Sequence, residues 1–340
     1  MHMADALLSP PVAVAMYAAS AAAAGISIAQ LRREDRLAPE KAAKKLPTMA
    51  VMSALVFAGQ MINYTIPGTG SSGHLCGGML LSAVLGPWAG FLSMIVILAI
   101  QALFFADGGL LALGANVWNM AFYGCFVGYF LIYRPLMQGS LLSDKPRTKL
   151  TLASVLGCVL TLQLGALSVV VETSLSGITE LPFGAFVALM QPIHLAIGLI
   201  EGLITAAVLV FVYGTRPELL RCAPGEKKAE NRFSLKATLA ILAAAALVIG
   251  GGLSLLASSN PDGLEWSLFG NAESGYSENM GLDEEAYGVS SKAADTAAQV
   301  QEKTSFLPDY SFSGSDSAAG TSVSGVVGCV MVAGLAALIC

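Results

Sequence analysis

Apolar residues in this chain come in long runs separated by short charged stretches. The runs cover roughly 10–30, 48–66, 74–86, 88–105, 110–133, 150–172, 183–213, 236–257 and 321–340. A membrane-spanning helix needs about 20 mostly apolar residues. The pattern therefore predicts an all-α polytopic membrane protein with about nine crossings. The weakest run is 74–86, which is short and glycine-rich. A composition break after 236 divides the chain. Residues 1–235 read as a seven-span unit, and 236–340 read as helix, acidic loop, helix.

Composition narrows the class. Of the 340 residues, 55% are hydrophobic and 12% are charged, against roughly 25% charged in an average globular chain. So few charges cannot coat a soluble protein of this size, and a net charge of -5 argues against nucleic acid.

The charges also set an expected orientation. Of the 18 Lys and Arg residues, all but Lys292 and Lys303 fall in 31–45, 134–149 and 214–236. The positive-inside rule makes those three loops cytoplasmic. The N-terminus and the polar stretch 258–320 then lie outside, and nine crossings leave the C-terminus inside. Segment 258–320 holds 11 of the 23 acidic residues and few large apolar ones, so most of it is expected to be mobile. No Lys or Arg precedes the first run and no convincing cleavage site follows it. Met1 is thus expected to be retained as the mature, uncleaved end. The six cysteines form no CxxC pair. Gly124-x-x-x-Gly128 and Gly198-x-x-x-Gly202 are spacings that let helices pack closely.

The histidines carry the candidate chemistry. There are three: His2 and His74, expected at the outer face, and His194, about a dozen residues into the seventh span. A free N-terminal X-His unit offers the Met1 amine, the His2 amide nitrogen and the His2 imidazole, which close two chelate rings. A His74 imidazole completes four nitrogens in a square, a geometry that points to Ni(II) or Cu(II). The plain alternative for His2 is an exposed terminal residue.

His74 lies in a glycine-rich loop, Asn63 to Gly78. Gly68-x-Gly70-x-x-Gly73 has dinucleotide-fingerprint spacing but lacks the βαβ setting, and His74-Leu75 replaces the Lys-Ser/Thr of a phosphate loop. What remains is a re-entrant loop presenting one imidazole, or a plain outer turn.

His194 and Glu201 lie seven residues apart on one helix face, and ionisable groups at membrane depth are functional candidates. They read as a second shell, an ion path or an interhelical clamp. Gln101, Asp107, Asn116 and Asn119 either line the same cavity or satisfy helix ends near Gly108-Gly109. Glu172 and Glu180 flank a short outer loop and read as solvated.

Four stretches together resemble the CbiM/NikM family. They are Met1-His-Met-Ala-Asp-Ala-Leu-Leu-Ser-Pro10, Gly68-Thr-Gly-Ser-Ser-Gly-His-Leu-Cys-Gly-Gly78, Gln101 to Asn116, and His194-Leu-Ala-Ile-Gly-Leu-Ile-Glu201. This family supplies the substrate-capture components of nickel and cobalt energy-coupling-factor transporters, and the likeness covers about the first 215 residues. It implies seven spans, an outside N-terminus in a prokaryotic cell membrane, and metal binding through Met1, His2 and His74. Pro261-Asp262-Gly263-Leu264-Glu265-Trp266, just after an apolar run, resembles the signature of the small N component, so the chain looks like a fused M-N protein. That segment is a candidate gate over the capture site. Residues 3–6 read Met-Ala-Asp-Ala where many members have an acidic-Gly pair, a departure that bears on which metal is taken.

The implied role is a non-enzymatic membrane component of an importer for Ni(II) or Co(II), with a link to cobalamin biosynthesis and no permanent cofactor. A membrane scaffold and separate ATPase subunits are its implied partners. Rival readings are an ion-coupled secondary transporter using His194 and Glu201, a membrane metal sensor or assembly subunit, and an intramembrane enzyme. No nucleophile at a defined spacing supports the last.

Overall fold

The computed structural model describes residues 1–142, 144–177, 182–223, 233–273, 275, 279–282, 288–312 and 317–338, the side chains of 40–44 excepted. Glu180 lies outside the described residues. The long helices are α1 (Pro10–Leu37), α2 (Pro39–Gln60), α4 (Pro87–Phe104), α5 (Leu113–Gln138), α6 (Pro146–Leu175), α7 (Phe183–Thr215), α8 (Leu235–Gly251) and α11 (Ala318–Leu338). The short ones are α3 (Gly78–Leu85), α9 (Gly263–Phe269) and α10 (Lys292–Thr304). Four helices open on proline, at Pro10, Pro39, Pro87 and Pro146. Its fixed φ suits a first turn, where its missing N–H costs no helical bond. The middle of α5, Val117–Tyr133, is wound as a π-helix.

The helices α1, α4, α5, α6, α7 and α11 are long and apolar enough to cross a membrane, and α8 is a shorter apolar helix. The apolar run at 48–66 became the second half of α2, whose first half begins in the basic stretch. Small residues set the helix packing as the spacing predicted. A Cβ on Gly198 would lie 2.9 Å from the Val159 Cα, and one on Gly202 would lie 2.6 Å from the Val155 Cα, so α7 rides on the α6 backbone. Likewise a Cβ on Gly124 of α5 would lie 2.9 Å from the Gly78 Cα. The pair α8 and α11 meets at Gly250 and Gly325, and both helices pack against α2.

The run 74–86 is not one helix. It begins as extended backbone behind a hairpin of β1 (Tyr64–Ile66) and β2 (Ser71–Gly73). It becomes helical only at Gly78, after Gly77 with φ 81°. Eight residues of α3 rise about 12 Å, well short of a bilayer core of about 30 Å. Irregular backbone is tolerated at such depth only when its polar groups are satisfied from within the protein. Glu201 of α7 does this. Its carboxylate accepts from the Cys76 and Gly77 amides at 2.8 and 2.9 Å, while Gln60 Nε2 donates to the Cys76 carbonyl at 2.8 Å. Glu201 is thus the missing cap of α3. At the opposite end of α3 the Arg221 amide donates to the Ala83 carbonyl at 2.8 Å. The Arg221 guanidinium donates to the Leu85 carbonyl at 2.9 Å.

The loop expected to be mobile is largely built onto the body. Residues 258–273 lie against the glycine-rich hairpin, and α10 with residues 305–310 lies against the end of α4. Among the loop's described residues Leu264, Trp266, Leu268, Leu282 and Leu307 are buried, while Val300, Phe306 and Phe312 stay exposed.

Removing the Glu201 carboxylate strands two buried N–H groups, each costing about 1–3 kcal/mol. Glu201→Ala is therefore expected to destabilise the fold by about 2–4 kcal/mol. Glu201→Gln, which keeps one acceptor oxygen, is expected to fall between it and the parent. Thermal unfolding in detergent measures this, and a melting temperature unchanged in Glu201→Ala would contradict the capping role.

Candidate metal centre

The first eight residues fold back into the bundle and do not trail from it. Met1 is 4% exposed and Met3, Leu7 and Leu8 are at most 1% exposed. Asn116 of α5 fixes this segment with a two-point grip on Met3. Its Oδ1 accepts from the Met3 amide at 2.7 Å, and its Nδ2 donates to the Met3 carbonyl at 3.1 Å. The Gly109 amide adds a bond to the same carbonyl at 2.9 Å, and Asp5 accepts from the Ala112 amide at 3.0 Å.

Asn119, one turn further along α5, donates to Glu172 at 2.8 Å. Glu172 is 4% exposed, which corrects its reading as a solvated loop carboxylate. Met1 lies against α6 at Gly165, and the Met3 sulfur lies against Asn119 of α5.

This fold-back brings His2 against His74. Their rings stack with centroids 5.1 Å apart and planes 19° apart. In each of the three histidines Nδ1 faces an oxygen: Asp107 Oδ1 at 3.0 Å for His2, the Leu75 carbonyl at 3.0 Å for His74, and the Met190 carbonyl at 2.7 Å for His194. Anchoring Nδ1 in this way fixes the tautomer of His74 and His194 and leaves their Nε2 as the lone-pair nitrogen, as in metal-ligating histidines generally. In His2, by contrast, the nitrogen held is the Nδ1 that would close the chelate. The Nε2 atoms of His2 and His194 are buried with no hydrogen-bond partner among the described residues.

The amine of Met1 donates to Asp262 Oδ2 at 2.7 Å. Asp262 thus holds one nitrogen of the expected chelate and Asp107 another, the His2 Nδ1. Among the described residues no three His, Cys, Asp or Glu side chains form a ready-made metal site. Two imidazoles and backbone nitrogens would have to make up the set.

The segment Pro261 to Trp266 reaches this point because of its own local chemistry. Asp262 is the N-cap of α9, its Oδ1 accepting from the Leu264 and Glu265 amides at 2.7 and 2.9 Å. The Glu265 side chain accepts from the Asp262 amide at 3.2 Å, which completes a capping box. That leaves Asp262 Oδ2 for the Met1 amine. The Ser72 amide donates to the Pro261 carbonyl at 2.8 Å, so the segment bridges in parallel to β2, the strand that leads into His74. Gly263 lies where a Cβ would be 2.6 Å from Ile193 Cγ2. Leu264 and Trp266 are buried.

An acidic vestibule of about 490 Å³ opens beside these groups, and His2, His74, Asp107, Asp262, Glu265 and Asp309 are among its lining. A second arm of the C-terminal part closes its far wall. The Tyr310 hydroxyl donates to Asp107 Oδ2 at 2.5 Å, and Gln301 donates to the Ala102 and Gly108 carbonyls at 2.8 Å. The sequence reading placed Asp107 near this cavity without pairing it with His2, and it missed Tyr310 altogether. An aromatic hydroxyl in a polar loop carries no spacing signal.

Burial works against charge on the amine, yet the adjoining Asp262 carboxylate outweighs it and raises the Met1 pKa above its usual value of 8.0. Burial also pushes Asp262 up, but the amine beside it holds the carboxyl well below the usual range. His74 is pushed down to about 4 by burial, then by the amine cation and His2. Near neutral pH the His74 imidazole is therefore free of a second proton, and the amine is charged.

A raised folded-state pKa means the ion pair is fully formed below pH 8 and is lost as pH rises through the folded value. Asp262→Asn removes the carboxylate that raises it, so the amine is expected to titrate at lower pH. Labelling of Met1 by an amine-reactive ester at pH 7.5 to 8 should then run several-fold faster than in the parent. Equal labelling rates across that pH range would contradict the ion pair.

Comparisons agree with this architecture. The profile described as "Cobalt uptake substrate-specific transmembrane region" (CbiM) matches residues 2–219, and the PDGLE domain matches 236–340. The chain is 33% identical over 337 residues to the "Putative fused nickel transport protein NikMN" of Archaeoglobus fulgidus, covering 98% of this chain and 96% of that one. It is 32% identical over 231 residues to the "Cobalt transport protein CbiM" of Sorangium cellulosum, covering 66% and 99%. A solved structure described as a truncated transition metal transporter superposes with a TM-score of 0.51 at 33% identity, covering 62% of this chain and 98% of that one. With its apolar spans, its buried N-terminal histidine pair and these matches, the chain belongs to the CbiM family of nickel and cobalt transport proteins, joined in one polypeptide to a PDGLE domain.

Proposed function

We propose that this chain is the substrate-binding component of an energy-coupling-factor importer for Ni(II) or Co(II). The ion is captured outside the cell by the Met1 amine, the His2 amide and imidazole nitrogens, and His74. The observation that carries this reading is the stacking of His2 on His74 in the wall of an acidic vestibule, with Met1 buried behind them. Carboxylates in the vestibule gather a hydrated divalent cation, and nitrogens at its floor select a transition metal over Mg or Ca. Residues 261–266 act as the gate, because an ion reaching the amine must displace Asp262. Asn116 and Asn119 position the N-terminal segment. ATP hydrolysis falls to separate cytoplasmic subunits joined through a membrane scaffold protein.

Glu201 bears on the rival reading of ion-coupled secondary transport. Each of its oxygens accepts one amide, from Cys76 and Gly77, which supports a role in holding the loop over one in carrying a coupling ion.

Metal analysis of the purified protein tests the site. With a native N-terminus it is expected to hold one Ni(II) or Co(II). An added residue before Met1 is expected to abolish this binding, and His74→Ala to weaken it by about 100-fold. Binding undiminished in both variants would sink the assignment. Uptake into vesicles is expected only when ATPase and scaffold subunits are present, so ATP-independent uptake by this chain alone would favour the secondary transporter.

A further inference from the structure

Behind the capture nitrogens lies a second chamber of about 10 Å³, about the room one water occupies. Met1, His74, Cys76, His194 and Asp262 line it, with Gly263 at its edge. His74 and Asp262 line both this chamber and the vestibule, whereas His2 lines only the vestibule and His194 only the chamber.

His194 is placed as a ligand is placed. It is 1% exposed, and its Nδ1 is fixed on the Met190 carbonyl. Its Nε2 is buried with no partner among the described residues. A bare buried acceptor is uncommon and calls for a reason such as an unseen ion or water. The Cε1 next to that nitrogen lies 3.1 Å from where a Cβ on Gly263 would sit, so any larger residue at 263 would crowd the imidazole. The glycine of the Pro261–Trp266 segment keeps that edge of the ring clear.

We propose that this chamber is a second ion station, one step inward from the capture site. The inference rests on the capture reading above. The ion, stripped of water, stays bound to His74 while the His2 nitrogens leave and His194 Nε2 enters. The Met1 amine and the Asp262 carboxylate complete the set. As the ion moves on, the freed His2 amide nitrogen takes a proton from water in the vestibule that His2 lines. The side chains do not form a ready-made cage as they stand, so the ion draws them in. A set of amine, two imidazoles and a carboxylate lacks the deprotonated amide of the capture plane. It holds the ion less tightly, which makes the step one toward release.

The test uses the full chain with a native N-terminus and His2→Ala, which removes the capture imidazole alone. This variant is expected to bind one Co(II), more weakly than the parent, with two imidazole ligands counted by X-ray absorption. Adding His194→Gln to it should weaken Co(II) binding by a further factor of about 10 or more. The Gln variant should leave the melting temperature of the metal-free protein unchanged. In the parent background His194→Gln should change affinity by less than about twofold while slowing transport. No Co(II) in His2→Ala, a single imidazole there, or no added effect of His194→Gln would each overturn the second station. If the Gln variant misfolds, the imidazole count in His2→Ala alone decides. Failure of the capture reading looks different, since a parent protein indifferent to N-terminal extension rejects that reading whatever His194 does.

Discussion

The Asp262 carboxylate serves two elements at once, and the arrangement of the site depends on that division. One oxygen closes the first turn of α9, while the other holds the Met1 amine at 2.7 Å. A buried carboxylate and a buried ammonium are each costly alone, and together they are tolerable only with further hydrogen bonds. The capping box supplies those bonds on one side. On the other, Asn116 and Gly109 fix the Met3 peptide so that the amine cannot swing away. The short PDGLEW signature thus reads as a physical device. Asp and Glu make the cap, Gly permits contact with α7, and Leu and Trp anchor the turn.

A second carboxylate makes the site possible from below. The path through His74 is half extended backbone and half helix, which would leave unpaired amides inside the bundle. Glu201 takes two of them. Glu201, singled out for the cost of its place in the membrane, and Glu172, read as solvated, thus both hold backbone or amide groups in place. Their expense is met by rigidity at the floor of the site.

Much of this was legible in the sequence. Apolar runs located the long helices, because length and hydropathy decide a crossing almost alone. The small-xxx-small spacings in α5 and α7 matched close backbone contacts. The pairing of His2 with His74 came from the resemblance of the N-terminal and glycine-rich stretches to a known family, since position alone left His2 a plain terminal residue. The break in run 74–86 was less so, since its apolar content matches a helix and only the glycines and a distant Glu201 show otherwise. Glu172 was misread because its partner, Asn119 of α5, lies 53 residues away and leaves no local trace. A place for 261–266 over the site came from the resemblance, but the docking of the rest of 258–273 and of 288–312 was missed because its contacts are distant in sequence. Acidic composition predicted solvation, while a few anchors such as Leu264, Trp266, Leu307 and Tyr310 do the holding. Asp107 sits between His2 and Tyr310, which are 308 positions apart in the numbering, and no periodicity links them.

The contact between Met1 and Asp262 also has a consequence for biosynthesis. The amine leaves the ribosome first, and its partner follows 261 residues later. Until that point the first residues have Asn116 and the α4–α5 turn to rest against, but no counter-charge. The pocket is therefore finished late, by the C-terminal part of a chain whose first 235 residues already hold the histidines. Joining the two parts in one polypeptide delivers the closing segment to each pocket in equal number, tethered and without a search.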